Sequence, residues 1–390
     1  MKIASVCESN MTSEPARASA SAETVLLTGA TGFLGRHVLW NLLHQSPATR
    51  VYCLLRPDGN LSLEQRLEHL LLRTDNSLPP DARERCIAVG GDIVDADLGL
   101  DPKRREQILS EVDRIIHCAA TVRFDHPLGE ARRINVGGTG HVLELAEALQ
   151  SRGRLRRVDH FSTAFVAGSS NGRAYEDRLT VTQFNNTYEQ TKWESEQLVR
   201  EAQGRLPITI YRPSIIVGDS RTGYTSNFRV LYWPLKALAS GLVFVVPADR
   251  DGVVDVVPID YVIDAFASLS AGDESLGKCY HLAAGPERQS SFGELMEMGS
   301  KFFDVRDPWL IPPEASYRVV RPLLYGLLWG KRRAMLRSGE QYFPYFSYRA
   351  SFDTTVASAG LAQSVEAPFV KQYFHTIMKF CVDSNWGKRS

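Results

Sequence analysis

Tyr188 and Lys192 stand four residues apart in the segment YEQTK, which continues as WESEQLV. Positions four apart share one face of a helix, so the Lys192 ammonium can lie beside the Tyr188 phenol. A free tyrosine has a pKa of roughly 10, and a neighbouring cation lowers it by stabilising the phenolate. A tyrosine tuned in this way can exchange a proton with a carbonyl oxygen while hydride moves to the carbon. The hydroxyl of Thr163, which follows a short apolar run, can orient that oxygen.

A YxxxK pair occurs often by chance on surface helices, so its meaning depends on a second element upstream. That element is Thr28 to Gly35, reading TGATGFLG directly after an apolar run. Gly29 permits a tight turn, Gly32 lets the backbone approach a pyrophosphate, and Gly35 allows close packing of helix and strand. The helix predicted over Phe33 to Leu43 directs its positive N-terminal end at the phosphates. Glycine clusters also occur in ordinary turns, but this spacing favours a dinucleotide site.

The end of the second predicted strand bears on which dinucleotide binds. NAD-specific folds commonly carry an acidic residue there for the ribose 2′-hydroxyl, whereas this chain has Arg56. Arg36 follows the last motif glycine, and two guanidiniums suit a 2′-phosphate. Asp58 lies close enough to leave NADH open, and either arginine can also be a solvated surface residue. The pattern favours NADPH.

Strand ends farther along supply further candidates. Asp92 in GGDI is placed to accept a hydrogen bond from an adenine amino group, with a turn or cap role as the alternative. Ala119 and Ala120 in HCAA are small enough for a cofactor to lie against them. His117, among apolar neighbours, is expected to be a core histidine rather than a catalyst.

Short aliphatic runs alternate with segments of helical period, and that alternation predicts an α/β fold with a doubly wound parallel sheet. Its ligand is expected at the carboxyl ends of the strands. Helical spacing marks 61–72 and 138–149. The predicted strands are Val25 to Leu27, Val51 to Leu55, Cys86 to Val89, Arg114 to His117, Arg157 to Phe161 and Ile208 to Tyr211.

The amino-acid composition indicates the broad class of protein. The chain has 390 residues, 44% hydrophobic and 23% charged, enough for one large α/β domain with a smaller lobe. Lysine plus arginine equals aspartate plus glutamate at 45 each, so no global field favours nucleic acid. The six cysteines show no ligand spacing, which argues for a reducing, cytoplasmic setting and against a structural metal.

Local composition predicts how the chain divides. We expect a disordered tail over 1–22, a dinucleotide-binding domain with the catalytic residues over 23–217, and a mostly substrate-binding lobe over 218–390. Some segments of that lobe are expected to return to the Rossmann core. The apolar and basic segment 319–336 suits peripheral membrane contact or the wall of an acyl channel, and equally a helix packed on the body.

The motifs together resemble the extended short-chain dehydrogenase/reductase (SDR) family. Within it, the segments HCAATVRFDHPLGEARRINVGGTGHVLELA, FSTAFVAG and YRPSIIVGDSRTG are similar to the fatty acyl-CoA reductase and thioester reductase branch. The resemblance runs from about Thr24 to about Ala284, and YFPYFSYRASFD is similar to a C-terminal segment of the acyl-CoA reductases.

The resemblance implies a role for each matching residue. Tyr188 would donate the proton with Lys192 as its partner, and Thr163 would be the hydroxyl residue, with Ser162 second. Arg36 and Arg56 would bind the 2′-phosphate. The cofactor-binding set it implies is Thr28, Gly29, Thr31, Gly32, Phe33, Leu34, Gly35, Arg36, Arg56, Asp92, Ile93, Ala119, Ala120, Asn135, Lys192, Pro213 and Ser214.

The implied activity is NADPH-dependent reduction of an acyl thioester to an aldehyde, and the sequence leaves open whether a second hydride step gives the alcohol. With no membrane span and no fused carrier in the sequence, we expect the chain to recruit acyl-CoA or acyl-carrier protein through its own surface. A sterol-like alcohol or ketone, or a nucleotide sugar, remains an alternative substrate on the same scaffold. A sensor of NADP(H) without chemistry is less favoured, because the Tyr188 and Lys192 pair is retained.

Overall fold

A parallel sheet of seven strands organises the part of the chain described by the computed structural model. Described are residues 23–72, 78–179, 181, 183–241, 245–312 and 339–388, with single positions at 326, 330, 333 and 337. The strand order is β7-β6-β5-β4-β1-β2-β3, with every pair parallel. The strands are β1 Thr24–Thr28, β2 Arg50–Leu55, β3 Cys86–Gly90, β4 Arg114–His117, β5 Arg157–Phe161, β6 Ile208–Pro213 and β7 Cys279–Leu282.

Helices cover both faces of the sheet. Alternate residues of β1 pack on opposite sides, Val25 and Leu27 into one apolar core and Leu26 into the other. This double burial is why the strands are apolar throughout rather than alternating. The helices of eight or more residues are α1 Phe33–Gln45, α2 Leu63–Leu71, α3 Pro102–Glu111, α4 Gly138–Ser151, α5 Thr187–Ala202, α6 Tyr232–Ala239, α7 Ile259–Ser270, α8 Phe292–Phe303 and α9 Val370–Asp383.

The doubly wound α/β fold predicted from the alternation of runs is confirmed. All six predicted strands are present, and the helices expected over 33–43, 61–72 and 138–149 appear as α1, α2 and α4. The seventh strand, β7, was not predicted from the sequence. Its CYHL sequence lies inside the stretch 218–390 assigned mostly to the substrate lobe, yet it pairs with β6 at the edge of the main sheet.

A second core lies beside the sheet. Helices α6, α8 and α9 pack together around Leu235, Leu295 and Ile377, which are buried. Aromatic side chains from the 3-10 segment Glu340–Ser347 complete this core.

The remaining short elements are helices Ala82–Arg85, Ala96–Gly99, Leu128–Arg132, Arg133–Gly137, Ala164–Ala167, Asp273–Ser275 and Thr355–Gly360, and strands Gly172–Ala174, Ile215–Val217, Val245–Pro247, Val253–Val254, Val256–Pro258, Ser290–Ser291, Trp309–Ile311 and Ala350–Phe352.

The chain returns from this second core to the main domain. Strand Ala350–Phe352 pairs in parallel with Gly172–Ala174, which follows β5. The buried Glu176 carboxylate accepts backbone N–H groups of Val356 and Ala357 at 2.6 and 3.0 Å. Residues close to position 350 are thereby held near the segments that follow β5 and precede α5.

Two predictions fall outside this description. The tail over 1–22 and nearly all of the segment 319–336 lie outside the described residues. Among the helices that are described, none has the length and apolar character to cross a membrane.

Candidate active site

The glycine turn between β1 and α1 is packed against the neighbouring strand end. Gly29 has a φ of +76°, in the left-handed region, and a Cβ at this position would lie 2.6 Å from the Ala119 backbone nitrogen. A Cβ at Gly35 would collide with the Gly29 carbonyl oxygen. The turn therefore has room for glycine alone at these two positions.

The N-terminal end of α1 opens onto a cleft. Its N-cap is Gly32, which supplies no side-chain cap, and the first turn carries no acidic residue. The free backbone N–H groups and the helix dipole make this end suitable for a diphosphate. Phe33 and Leu34 line the cleft beside it, whereas Thr31 is exposed at the tip of the turn.

Thr28 is buried below this turn rather than exposed to the cleft. Its Oγ1 lies 2.7 Å from Nδ1 of His117, and the other ring nitrogen lies 3.2 Å from Oγ1 of Thr139. Burial lowers the pKa of His117 to about 3, so the ring is neutral at physiological pH. His117 is thus a hydrogen-bonded core residue, as its apolar neighbours predict.

Arg36 and Arg56 occupy different settings near the end of β2. Arg36 lies in the first turn of α1 and stacks over the Trp40 ring at 5.9 Å, and its Nε is buried without a hydrogen-bond partner in the described chain. Arg56 is exposed. The competing carboxylate of Asp58 accepts from Arg66 Nη1 at 3.2 Å and is therefore already paired. These contacts leave guanidinium donors, rather than a free carboxylate, for a ribose substituent.

Asp92 and Ile93 lie in the turn that follows β3. The Asp92 side chain accepts from the Val94 backbone nitrogen at 3.2 Å, which is the turn role named as its alternative. Its second oxygen can still accept a hydrogen bond. The Ile93 side chain is buried against Gly138 of α4, where an added Cβ would lie 2.6 Å from Ile93 Cδ1. Ile93 thus packs in the core, and its backbone is the part that can reach a ligand.

The catalytic candidates meet the glycine turn in one cleft of about 280 Å³ at the carboxyl ends of the strands. Ala120 forms part of its floor, and the Ala119 backbone nitrogen contacts Thr28 Oγ1 at 3.4 Å nearby. Predicted site residues that line the cleft are Gly29, Gly32, Phe33, Leu34, Gly35, Ala120, Ser162, Thr163, Tyr188, Lys192, Pro213 and Ser214.

The two adjacent hydroxyl residues after β5 have different partners. Ser162 Oγ donates to the buried Glu196 carboxylate at 2.7 Å. Burial alone would raise the pKa of Glu196, but Arg212 lowers it to about 2, so this carboxylate is ionised. Thr163 Oγ1 accepts from the Phe165 backbone nitrogen at 3.3 Å, donates to the Pro213 carbonyl at 3.4 Å, and also interacts with the Tyr188 phenol. Thr163 is therefore the hydroxyl that reaches the phenol.

The pKa of Tyr188 shifts in the direction opposite to the sequence argument. Burial raises it to about 12, and the hydrogen bond from Thr163 offsets only part of that rise. The expected lowering by Lys192 is wrong, because the Lys192 ammonium is directed elsewhere. Its Nζ donates to the Phe161 backbone carbonyl at 2.8 Å.

Lys192 is itself strongly affected by its surroundings. Its side chain is buried, and burial lowers the pKa of the ammonium to about 8, while the charge of Glu196 opposes that shift. A buried lysine with a pKa near the working pH is able to hold or release a proton. It lies on the same side of α5 as Tyr188, as the four-residue spacing predicts.

Asn135 supports the site without lining the cleft. It lies in the π-helical turn Arg133–Gly137, where the helix register changes before α4. Its Nδ2 donates to Thr191 Oγ1 at 2.9 Å, and its Oδ1 accepts from the Thr121 backbone nitrogen at 2.8 Å. Asn135 therefore ties the loop after β4 to the helix that carries Tyr188. Such π-turns occur frequently at functional sites.

Sequence reasoning missed the aromatic wall of the cleft. Phe124 stacks between Tyr188 and Tyr345, with ring centroids 5.7 and 5.5 Å apart. Phe165 packs edge-on against Tyr345 at 5.2 Å. The apolar letters of VRFDHP and YFPYF were visible in the sequence, but no periodicity relates them to Tyr188. Only the return of the chain from the second core brings them together.

Arg229 is a charged residue in the lining of this cleft. Arg229 lines both the cleft and its outward continuation beside Arg123 and Tyr342. Arg123 is paired with Asp125 at 3.1 and 3.0 Å, whereas Arg229 is exposed and makes no side-chain hydrogen bond or ion pair with other described residues. The cation at Arg229 is therefore available to an anionic ligand.

The sequence matches the family described as male sterility protein over residues 27–266, more than half of the chain. The chain belongs to the male sterility protein family. Its fold is that of an extended SDR, as the motifs predict, and a nicotinamide dinucleotide is the cofactor class of this Rossmann domain.

Curated relatives of this male sterility family chain are reductases and a synthetase. It is 29% identical over 316 residues to fatty acyl-CoA reductase wat of Drosophila melanogaster, covering 71% of this chain and 60% of that protein. It is 29% identical to human fatty acyl-CoA reductase 1, covering 62% of this chain and 53% of that protein. A linear gramicidin synthase of Brevibacillus parabrevis is 31% identical over 67% of this chain and 5% of its own length. The chain thus spans 60% or less of these relatives.

Solved structures of reductase domains are similar over almost the whole chain. The terminal R domain of the myxalamid PKS-NRPS pathway gives a TM-score of 0.79 at 27% identity, covering 95% of this chain and 93% of that one. The R domain of a nonribosomal peptide synthetase from Mycobacterium tuberculosis gives 0.67 at 25% identity, covering 95% and 93%. At the level of the family, these relatives indicate an oxidoreductase.

Proposed function

We propose that this chain is an NADPH-dependent reductase of acyl thioesters. The observation that carries the proposal is a single cleft at the strand ends that brings the glycine turn together with Thr163, Tyr188 and Lys192. The similarity to fatty acyl-CoA reductases and to synthetase reductase domains supports the thioester as the group reduced.

The residues present fit NADPH. Gly29 and Gly35 leave space for the backbone to approach a diphosphate, and the uncapped end of α1 faces the same cleft. The unpartnered Nε of Arg36, which follows the last motif glycine, and the exposed Arg56, which follows β2, suit the 2′-phosphate. When bound, the nicotinamide supplies the hydride. The protein's part is to hold the thioester, orient its carbonyl oxygen and deliver a proton.

The proton donor in this scheme is Tyr188. With a pKa of about 12 its phenol is fully protonated at physiological pH, so it can donate to an oxyanion. As hydride adds to the thioester carbon, the carbonyl oxygen gains negative charge and takes the Tyr188 proton, with Thr163 as a second hydrogen-bond donor. The product is a hemithioacetal.

Collapse of the hemithioacetal returns the proton. Its hydroxyl proton goes back to the Tyr188 phenolate, the carbon–sulfur bond breaks, and the leaving thiolate takes a proton from solvent to become a thiol. The carbon product is an aldehyde, which a second hydride and proton convert to an alcohol. Lys192, buried in the same cleft with a pKa of about 8 and donating to the Phe161 carbonyl, would hold the nicotinamide ribose in this scheme.

The walls of the cleft suit an acyl group on a phosphate-bearing arm. Phe124, Phe165 and Tyr345 contact one another along the cleft, and Ile215 and Tyr232 add further apolar surface to its lining. Arg229 at the mouth is placed for the phosphate of a pantetheine arm, which coenzyme A and carrier proteins share.

A substrate panel tests the proposal. Purified protein is incubated with NADPH and acyl-CoAs of several chain lengths, with an acyl-carrier protein, and with a sterol-like ketone and a nucleotide sugar. We expect absorbance loss at the nicotinamide band with aldehyde or alcohol release from the thioesters. Turnover of the ketone or the nucleotide sugar, with none of any thioester, would overturn the proposal.

A further inference from the structure

The N-terminal end of α5 is held by a closed set of hydrogen bonds that includes a residue from the C-terminal part of the chain. Asn186 caps the helix by accepting from the Glu189 backbone nitrogen at 3.0 Å. Its Nδ2 donates to the Tyr345 hydroxyl at 2.7 Å, and that hydroxyl donates to Glu189 Oε1 at 2.5 Å. The Asn185 backbone nitrogen donates to the other Glu189 oxygen at 2.8 Å. Tyr188 lies in the sequence between Asn186 and Glu189, the N-cap and a first-turn residue of α5, which Tyr345 joins.

The aromatic part of Tyr345 makes a second connection to the same residue. The Tyr188, Phe124 and Tyr345 rings form a continuous stack, with interplanar angles of 28° and 26°. Phe165 packs edge-on against Tyr345 from the other side, at 77°. The Tyr345 hydroxyl therefore fixes the backbone around Tyr188, while its ring fixes the position of the phenol through Phe124.

The charge state of this cluster is compatible with a fixed geometry. Glu189 and Tyr345 are both buried. Burial raises the pKa of the Glu189 carboxyl, and it raises the pKa of Tyr345 well above its usual range, so the tyrosine keeps its proton and remains the donor. A buried hydrogen bond to a carboxylate is stronger than a neutral one and is costly to break.

A nearby tyrosine shows what ordinary packing looks like in the same region. Tyr348 is also buried and stacks on Tyr345 at 6.3 Å, but its hydroxyl donates to the Gly168 backbone carbonyl at 2.8 Å. It makes no hydrogen bond to α5 among the described residues and does not line the cleft. Tyr345 alone of these two tyrosines joins the cleft wall to the segment that carries the proton donor.

We infer that Tyr345 is a positioning residue for catalysis: it holds the Tyr188 phenol at the reacting carbonyl through the Asn186–Glu189 ring and the Phe124 stack. This inference rests on the proposed function. It assigns a role in the reduction to a residue of the C-terminal segment that lies 157 positions after Tyr188.

The test compares Tyr345→Phe with Tyr348→Phe. Both remove one hydroxyl and keep the ring. We expect Tyr345→Phe to lower kcat about 10-fold, because small misplacement of a catalytic group is costly. The KM for NADPH should stay unchanged, and the kinetic isotope effect with deuterated NADPH should increase, because chemistry becomes slower. Tyr348→Phe should leave kcat and the isotope effect near those of wild type.

Asn186→Ser gives an independent second variant. Serine keeps the N-cap but removes the amide donor to Tyr345. We expect the same loss of kcat as in Tyr345→Phe and no further loss in the double variant, because both changes break one ring. An unchanged kcat in Tyr345→Phe, or an equal loss in Tyr348→Phe, would contradict the inference.

A spectroscopic readout separates this inference from the proposed function. In protein carrying isotope-labelled tyrosine, the NMR resonance of the Tyr188 phenol carbon should move in Tyr345→Phe and Asn186→Ser but not in Tyr348→Phe. This measurement needs no turnover. If no thioester is reduced by the wild type but the resonance moves as stated, the proposed function fails while the positional coupling stands. A resonance that does not move overturns the coupling.

Discussion

Ser162 donates its hydroxyl proton to the buried carboxylate of Glu196, 2.7 Å away, rather than to the Tyr188 phenol. Thr163, the next residue, makes the hydrogen bond to that phenol. The sequence left both hydroxyls open as candidates, and the difference between their partners now separates a structural role from a chemical one.

Substitution of these two residues should therefore have different effects. Thr163→Val should lower kcat by roughly 100-fold, within the range for a group acting on developing charge, and should cost about 0.5–2 kcal/mol of stability because Thr163 also caps the Ala164–Ala167 turn. Ser162→Ala should keep most activity and lower the free energy of unfolding by about 1.5–3 kcal/mol, the contribution of a hydrogen bond to a charged group. Steady-state kinetics and urea denaturation measure the two effects. The reverse ranking in kcat would assign catalysis to Ser162.

Tyr188→Phe should remove turnover and spare cofactor binding. A positioned general acid contributes about 100- to 10,000-fold, so kcat should fall by at least about 100-fold. The Kd for NADPH, followed by its fluorescence, should change less than about twofold, because the lost hydroxyl points at the substrate carbonyl. Tyr52→Phe on β2, which loses a hydroxyl bonded to Glu111, serves as the matched control for general disturbance. Retained turnover in Tyr188→Phe would exclude it as proton donor.

Removal of the arginines near β2 should change the choice of cofactor. Arg36→Ala and Arg56→Ala should each raise the KM for NADPH by roughly 10- to 100-fold, the loss of a charged hydrogen bond of about 1.5–3 kcal/mol. The KM for NADH should be unchanged, because NADH has no 2′-phosphate. Kinetics with both cofactors provide the comparison, with Arg50→Ala, at the opposite end of β2 and paired with Glu111, as the matched control. Equal effects on NADPH and NADH would show that these arginines do not read the phosphate.

The pH profile should report Lys192. Because its pKa is lowered to about 8, kcat/KM should decline above about pH 8 with loss of one proton. Tyr188 stays protonated in this range, since its pKa is about 12. Lys192→Arg keeps a positive charge at all accessible pH, so its reduced activity should show no such decline. A decline of the same shape in the variant would assign it to another group.

The same shift predicts the direction of a stability effect. Between about pH 8 and the ordinary lysine value of 10.5 the unfolded chain holds a proton that the folded chain has released. The unfolded state therefore binds more protons, and the free energy of unfolding should rise with pH in this window. Lys192→Met should lose that rise in denaturation experiments across the same range.

The mouth of the cleft can be tested with truncated thioesters. Arg229→Ala should raise the KM for an acyl-CoA by roughly 10-fold or more, consistent with loss of a contact to phosphate. The same acyl group on N-acetylcysteamine, which has no phosphate, should be turned over equally by wild type and variant. Arg123→Ala, whose guanidinium is already paired with Asp125, is the matched control. Equal losses on both substrates would show that Arg229 does not act by binding the substrate phosphate.

Local patterns predicted the dinucleotide half well because its signals are local. The glycine spacing fixes Gly29 and Gly35 within one turn, and buried parallel strands read as continuous apolar runs. Strand β7 was not predicted, because CYHL is only four residues long and contains a polar histidine. The hydrogen-bond partners of that histidine, Arg212 on β6 and the Asp353 carbonyl, are distant in the sequence.

The electrostatics of the site could not be predicted in the same way. The spacing of Tyr188 and Lys192 correctly placed both on one helix face, but their pKa values depend on burial and on Nζ finding the Phe161 carbonyl. Burial and this contact both depend on the tertiary structure, which the four-residue spacing does not specify. The contact between Tyr345 and Glu189 likewise joins residues 156 apart, beyond the reach of any periodicity.

The parallel pairing of Ala350–Phe352 with Gly172–Ala174, together with the hydrogen bond from Asn186 to Tyr345 across 159 residues, sets an order of events on the ribosome. The glycine turn, β1 to β6 and α5 are synthesised long before the segment that stacks on the proton donor. A nascent chain can thus assemble its nucleotide-binding face early, while the reacting face closes only after the residues around position 352 have emerged. Among the described residues, Tyr345 is the last in chain order that lines the cleft, so the cleft wall is the part of the site that is synthesised last.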